Sequence, residues 1–81
     1  MADIRLLILS PEETLLDTAV DAVTLPGTAS PFEVLPSHAP IISSLEKGRI
    51  IWRAGAEEGS LDIASGFVEV KDNQVVVAVE R

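Results

Sequence analysis

The chain has 81 residues, 47% of them hydrophobic, with thirteen acidic and six basic side chains giving a formal charge of −7. That length supports one core, so residues 1–81 are expected to form a single domain. The acidic balance opposes phosphate backbones and anionic lipid, which reward clustered Lys and Arg, and argues against nucleic acid as a partner. With no cysteine there is neither a disulfide nor a thiolate site, so the core must hold the fold alone.

The apolar runs Leu6–Leu9 and Val75–Val79 are far shorter than the roughly 20 residues needed to span a bilayer. The start, Met1 to Arg5, has no basic leader and no small-residue cleavage site, so no export signal is expected.

In chain order, Ile4 to Ser10 reads as a first strand, stopped by Pro11, which has no N–H for a continuing ladder. The following PEETLLDT is too short for a full helix, and Leu15-Leu16 read as a brief strand. Ala19 to Leu25 reads as a further strand with imperfect alternation, closed by the turn dipeptide Pro26-Gly27. Gly48 to Ala54 alternates cleanly, with Arg49, Ile51 and Arg53 on one face and Ile50, Trp52 and Ala54 on the other. Trp52 and Phe67 both read as fillers of a core or an interface, with Trp52 expected to be buried.

Gly55 to Gly59 reads as a polar connection leading into Ser60–Ala64, where Leu61 and Ile63 face together. Asp72-Asn73 tolerate left-handed backbone angles and read as a two-residue turn between Phe67–Lys71 and Gln74–Val79. No helical period persists long enough for a stable helix. The expected class is all-β: a two-sheet β-sandwich, or flattened barrel, of short and mostly antiparallel strands.

Reactive chemistry finds little support. Ser37 and His38 are neighbours, and in an extended loop their side chains would point apart, so a nucleophile–base pair is not expected there. A triad with Ser43, Ser44 or Ser60 stays open geometrically, but no nucleophile elbow is present. One histidine and no cysteine make a poor transition-metal site, and Asp17, Asp21 and Asp62 are not spaced like a calcium loop. Glu57 and Glu58 would repel any phosphate at the Gly55–Ser60 segment. No catalytic residue, metal or cofactor is therefore assigned. Lys71, beside a tight turn in a small acidic β domain, is the one alternative: lipoyl and biotinyl carrier domains present a modified lysine in such a place.

The run LPGTASPFEVLPSHAPIISSLEKGRI, Leu25 to Ile50, resembles the N-terminal β-sandwich of the ATP synthase epsilon family, through Leu25-Pro26-Gly27, Phe32, Val34-Leu35-Pro36, His38-Ala39-Pro40, Leu45 and Gly48. Ile8 to Asp17 and Ser65 to Val77 are similar to two further segments of that family. Ser30, Glu33, Ser37 and Ser65 stand where the family commonly has glycine, and Pro31 stiffens its loop.

The resemblance implies a non-catalytic rotor subunit of a proton- or sodium-translocating F-type synthase. Such a subunit links the gamma subunit to the membrane c-ring, transmits torque and lies peripherally, within F1, on the cytoplasmic face of the inner membrane or its organelle equivalent. Membrane association would run only through the complex. The resemblance places two loops toward the ring: Gly27, Thr28, Ser30, Pro31 and Phe32, then Ser37, His38, Ala39, Pro40 and Ile41. Pro36 and Pro40 bias their neighbours toward extended geometry, so the second loop loses less entropy on docking. His38 is expected to make an interface or loop-fixing hydrogen bond, and Gly27 to supply a backbone angle that side chains resist. Gamma is expected on an apolar patch flanked by acidic residues. The helical hairpin that follows the sandwich in many family members is not in this sequence, so its inhibitory and nucleotide-binding roles are not expected of these residues.

Overall fold

A computed structural model describes residues 3–81. The reading of the chain start rests partly on Met1 and Ala2, which lie outside the described residues. Nine strands follow one another: β1 Ile4–Leu9, β2 Thr14–Val20, β3 Ala22–Leu25, β4 Phe32–Val34, β5 Ile41–Leu45, β6 Gly48–Ala54, β7 Glu57–Ile63, β8 Ser65–Lys71 and β9 Gln74–Glu80. No helix occurs among the described residues. The strands form a five-stranded sheet in the order β2-β1-β9-β8-β5 and a four-stranded sheet in the order β4-β3-β6-β7. Every ladder is antiparallel except β1 with β9, so the expected all-β sandwich is what the chain builds.

Alternation explains which face each strand hides. Ile4, Leu6 and Ile8 of β1, Val75, Val77 and Val79 of β9, and Val68 and Val70 of β8 form the floor of the core. Val23, Leu25, Val34, Ile50 and Ile63 close it from the four-stranded sheet. No polar side chain is fully buried among the described residues, so packing rather than internal polar bonds holds the layers together.

The sheets are stitched at both sides. On one side Gly27 bridges Leu45, Thr28 N donates to Ser44 O at 3.1 Å, and Glu46 N donates to Pro26 O at 2.9 Å. On the other, the chain crosses directly from β2 to β3 through Asp21, whose N donates to Arg53 O at 2.7 Å.

Several expectations need correction. The segment Ala19–Leu25 is two strands in different sheets, because Asp21 is the crossover and resets which side chains face inward. Leu15-Leu16 belong to a seven-residue strand. Glu57, Glu58 and Gly59 are part of β7, so the connection after β6 is only Gly55-Ala56, with Gly55 at φ +64°. β4 and β5 were not legible as strands. Asp72 at φ 52° and Asn73 at φ 62° form the expected two-residue turn, with the positive angles at both central positions that define type I′. Trp52 is half-buried rather than buried, and Phe67 is 66% exposed and outside the core.

Candidate protein interface

The ten loop residues expected at an interface divide into two groups. Gly27, Thr28, Ser30, Pro31 and Phe32 make the turn from β3 into β4; Gly27 is buried, Phe32 half-buried and the others exposed. Thr28 is held from two directions, since Ser44 Oγ donates to its Oγ1 at 2.8 Å and its own N donates to Ser44 O. Gly27 does not have a positive φ, contrary to expectation. It is needed for space: a Cβ there would meet Ser30 O at 2.5 Å and Phe32 Cδ1 at 2.9 Å.

Ser37, His38, Ala39, Pro40 and Ile41 carry the chain from β4 into β5. Ser37 has φ 69°, so the loop is not extended at this point and strand alternation does not direct the Ser37 and His38 side chains apart. His38 N donates to Leu35 O at 3.1 Å, closing a turn with Pro36 at its second position. The His38 ring places Nδ1 2.7 Å from Ala39 O. A carbonyl only accepts, so Nδ1 carries hydrogen in this contact and the bond fixes the ring against its own loop. Ser37 N donates to Asn73 Oδ1 at 2.6 Å, and Ile41 lies opposite Val70.

The two groups therefore sit at opposite ends of β5: one bonded to Ser44 and Leu45, the other beside Ile41 and the turn after β8. What they share is the side of the sandwich where β4 and β5 are both edge strands. The serines weighed as partners for His38 are used elsewhere: Ser43 Oγ donates to Ser44 O at 3.0 Å and Ser44 Oγ to Thr28. Ser60 lies on β7, at the far edge of the other sheet. Lys71 is the last residue of β8, opposite Gln74; the apex of that turn is Asp72-Asn73, so the lysine is not presented as a carrier would present it.

A larger feature was not singled out from sequence. The outer face of the five-stranded sheet carries a polar cross-strand row of Ala19, Arg5, Gln74 and Lys71 and two rows richer in apolar residues. Ile42, Glu69, Val76, Leu7 and Asp17 lie opposite one another in turn, as do Ser44, Phe67, Ala78 and Leu9. Ile42 is 77% exposed, Phe67 66%, and Leu7, Leu9 and Val76 are half-buried. Six apolar side chains thus face outward, with Glu69, Glu80, Lys71 and the ion pair of Arg5 Nε with Asp17 Oδ1 at 2.7 Å around them. The outer face of the four-stranded sheet is different: Arg49 with Asp62, Arg53 with Glu58, and Thr24 with Glu33 line it. Strands that hide both faces lose polar alternation. That loss is visible in the unbroken apolar runs of β1 and β9, and it was the available signal.

The sequence matches the family described as ATP synthase, Delta/Epsilon chain, beta-sandwich domain over residues 3–81. The chain belongs to that family. Among relatives within it, the ATP synthase epsilon chain of Dehalococcoides mccartyi is 36% identical over 80 residues, covering 99% of this chain and 57% of the relative. The ATP synthase epsilon chain of Nitratidesulfovibrio vulgaris is 38% identical over 77 residues, covering 95% of this chain and 58% of the relative. This chain therefore spans less than two thirds of the length of these epsilon chains. In fold it is similar to a chain of the Euglena gracilis mitochondrial ATP synthase OSCP/F1/c-ring structure, with a TM-score of 0.92 at 24% identity, covering 100% of this chain and 52% of that one. A chain of the Tetrahymena thermophila mitochondrial ATP synthase central stalk and c-ring structure gives a TM-score of 0.81 at 15% identity, covering 98% and 64%.

Proposed function

We propose that residues 1–81 act as one stiff, non-catalytic sandwich in the rotor of an F-type ATP synthase, joining the gamma subunit to the ion-conducting c-ring and passing torque between them. The observation that carries this reading is the asymmetry of the two outer faces. One is charged and suited to water; the other exposes Ile42 and Phe67 among Leu7, Leu9, Val76 and Ala78, an arrangement suited to a permanent partner. Gamma is assigned to that apolar face. Arg5 offsets Asp17 and Lys71 lies on the same face, so steering of a basic partner falls to Glu69 and Glu80 and is weak, fading further as salt rises.

The c-ring is assigned to the β4 and β5 side of the sandwich, which carries both the Gly27–Phe32 and the Ser37–Ile41 groups. The ion carried by the ring, proton or sodium, is the business of the ring and not of this chain. The location is peripheral, within F1, on the cytoplasmic face of the inner membrane or the organelle equivalent. Interiors packed at crystal-like density compress little, so a shared core lets the block turn without deforming.

Affinity purification of the tagged chain from assembled synthase tests the assignment. Recovery of gamma and ring subunits together is expected. Recovery of neither, with calorimetry showing no heat against gamma at low or high salt, would overturn it.

A further inference from the structure

Among the described residues only three non-glycine residues have left-handed backbone, Ser37, Asp72 and Asn73, and they meet at one corner. Asn73 is their junction: its Oδ1 accepts from Ser37 N at 2.6 Å, and its backbone O accepts from Arg5 N at 2.9 Å. Such conformations persist only where the surroundings fix them, and they gather where a loop must hold one shape.

The turn Leu35–His38 shows what is being fixed. Pro36 in second position, φ 69° at Ser37 in third, and the bond from His38 N to Leu35 O are the features of a type II turn. That type favours glycine at the third position, and this chain has serine. A serine there prefers type I, which differs by a rotation of the peptide plane between Pro36 and Ser37. The N–H of that plane is the one that Asn73 holds. Rotating it would point the N–H away from Oδ1, so the carboxamide selects one turn type over the other.

We propose that Asn73 is a positioning residue that locks the Leu35–His38 turn in its type II form and so sets the direction in which His38 and Pro40 meet the c-ring. The second half rests on the reading of this loop as part of the rotor interface. The effect is remote in sequence but direct in space, since the β8–β9 turn supplies the bond that the β4–β5 loop lacks.

Three variants test it in the full chain. Asn73→Gly removes the carboxamide while keeping a residue that accepts left-handed angles, and Asp-Gly is itself a favoured type I′ pair. Asn73→Asp keeps an acceptor at the same place. Ser37→Gly combined with Asn73→Gly restores the type II preference without the bond. The turn type is read by nuclear magnetic resonance, from the contact between the Pro36 α-hydrogen and the Ser37 amide hydrogen, which is close in type II and distant in type I. Binding is read against the purified c-ring, the partner assigned to this loop.

In Asn73→Gly the contact is expected to weaken and binding to fall about tenfold, the equivalent of roughly one hydrogen bond. Both the Asp variant and the double variant should recover. An unchanged contact in Asn73→Gly would overturn the turn selection. A weakened contact with unchanged c-ring binding would instead overturn the placing of this loop at the interface.

Discussion

Trp52 and Gly59 face each other across β6 and β7, and the indole occupies the space that a side chain at Gly59 would fill. A Cβ there would overlap Cε2, Nε1 and Cζ2 of the ring. Gly59→Ala must therefore push the indole out or part the two strands. The expected cost is about 1–3 kcal/mol, the usual range for overpacking. Because Trp52 is the only tryptophan, its fluorescence reports the displacement directly: the emission should shift to the red in the folded variant, and the denaturant midpoint should fall.

Asp21 does a different task at the crossover between the sheets. Its Oδ2 accepts from Gly55 N at 2.7 Å, which ties the β2–β3 junction to the β6–β7 turn at a glycine already in left-handed geometry. Asp21→Ala should lower stability by roughly 1–3 kcal/mol, the value of a hydrogen bond to a charged group. Urea unfolding should show a lower midpoint with an unchanged slope. A neutral result would mean that the bond from Gly55 N to Asp21 Oδ2 adds nothing to the hold on the crossover.

The apolar outer face separates folding from assembly. Ile42 and Phe67 contribute little to the core, and a lysine at 42 would face Glu69, so Ile42→Lys and Phe67→Glu should each change stability by no more than about 0.5 kcal/mol. Each should nevertheless weaken binding to gamma by about tenfold or more, as a charge placed in a desolvated contact does. Thermal melts with titration against gamma check both halves.

The ion pair on the opposite sheet carries a pH signature. Arg49 Nε donates to Asp62 Oδ1 at 2.8 Å, and this bond, with the attraction of the guanidinium charge, holds the carboxyl below its usual range. A depressed carboxyl binds fewer protons folded than unfolded near its own pKa. Its stabilisation is complete above about pH 4, the ordinary aspartate value, and is lost as pH falls through the lowered one. Both groups are well exposed, so the effect is small and salt-sensitive. In urea titrations at low salt, Asp62→Asn should sit slightly below the parent at neutral pH and coincide with it in strong acid.

Much of the sandwich was legible in the sequence where one face is polar. Gly48–Ala54 alternates arginine with apolar residues, and its strand bounds and its inward face both came out as read. Alternation fails as a guide where tertiary position resets it. Val20 and Val23 are both buried although three apart, because Asp21 carries the chain from one sheet to the other. Phe32–Val34 spans only three residues after a proline, and Ile41–Leu45 contains two serines, so neither gives a strand signal by itself. Gly59 looked like a loop glycine because the demand for a bare backbone comes from Trp52, seven residues earlier. The left-handed angle at Ser37 was illegible for the same kind of reason: it is imposed by Asn73, from a turn that the local sequence does not contain.

The proposed contact with gamma depends on what covers the outer face of the five-stranded sheet. A photo-crosslinking amino acid placed at position 42, in a chain carried within assembled synthase, tests this directly. Irradiation should join the chain to gamma, and a control at Ser60 on the opposite sheet should not. If position 42 yields no adduct with gamma while position 60 does, the face has been assigned to the wrong partner and the proposed architecture of the rotor contact is wrong.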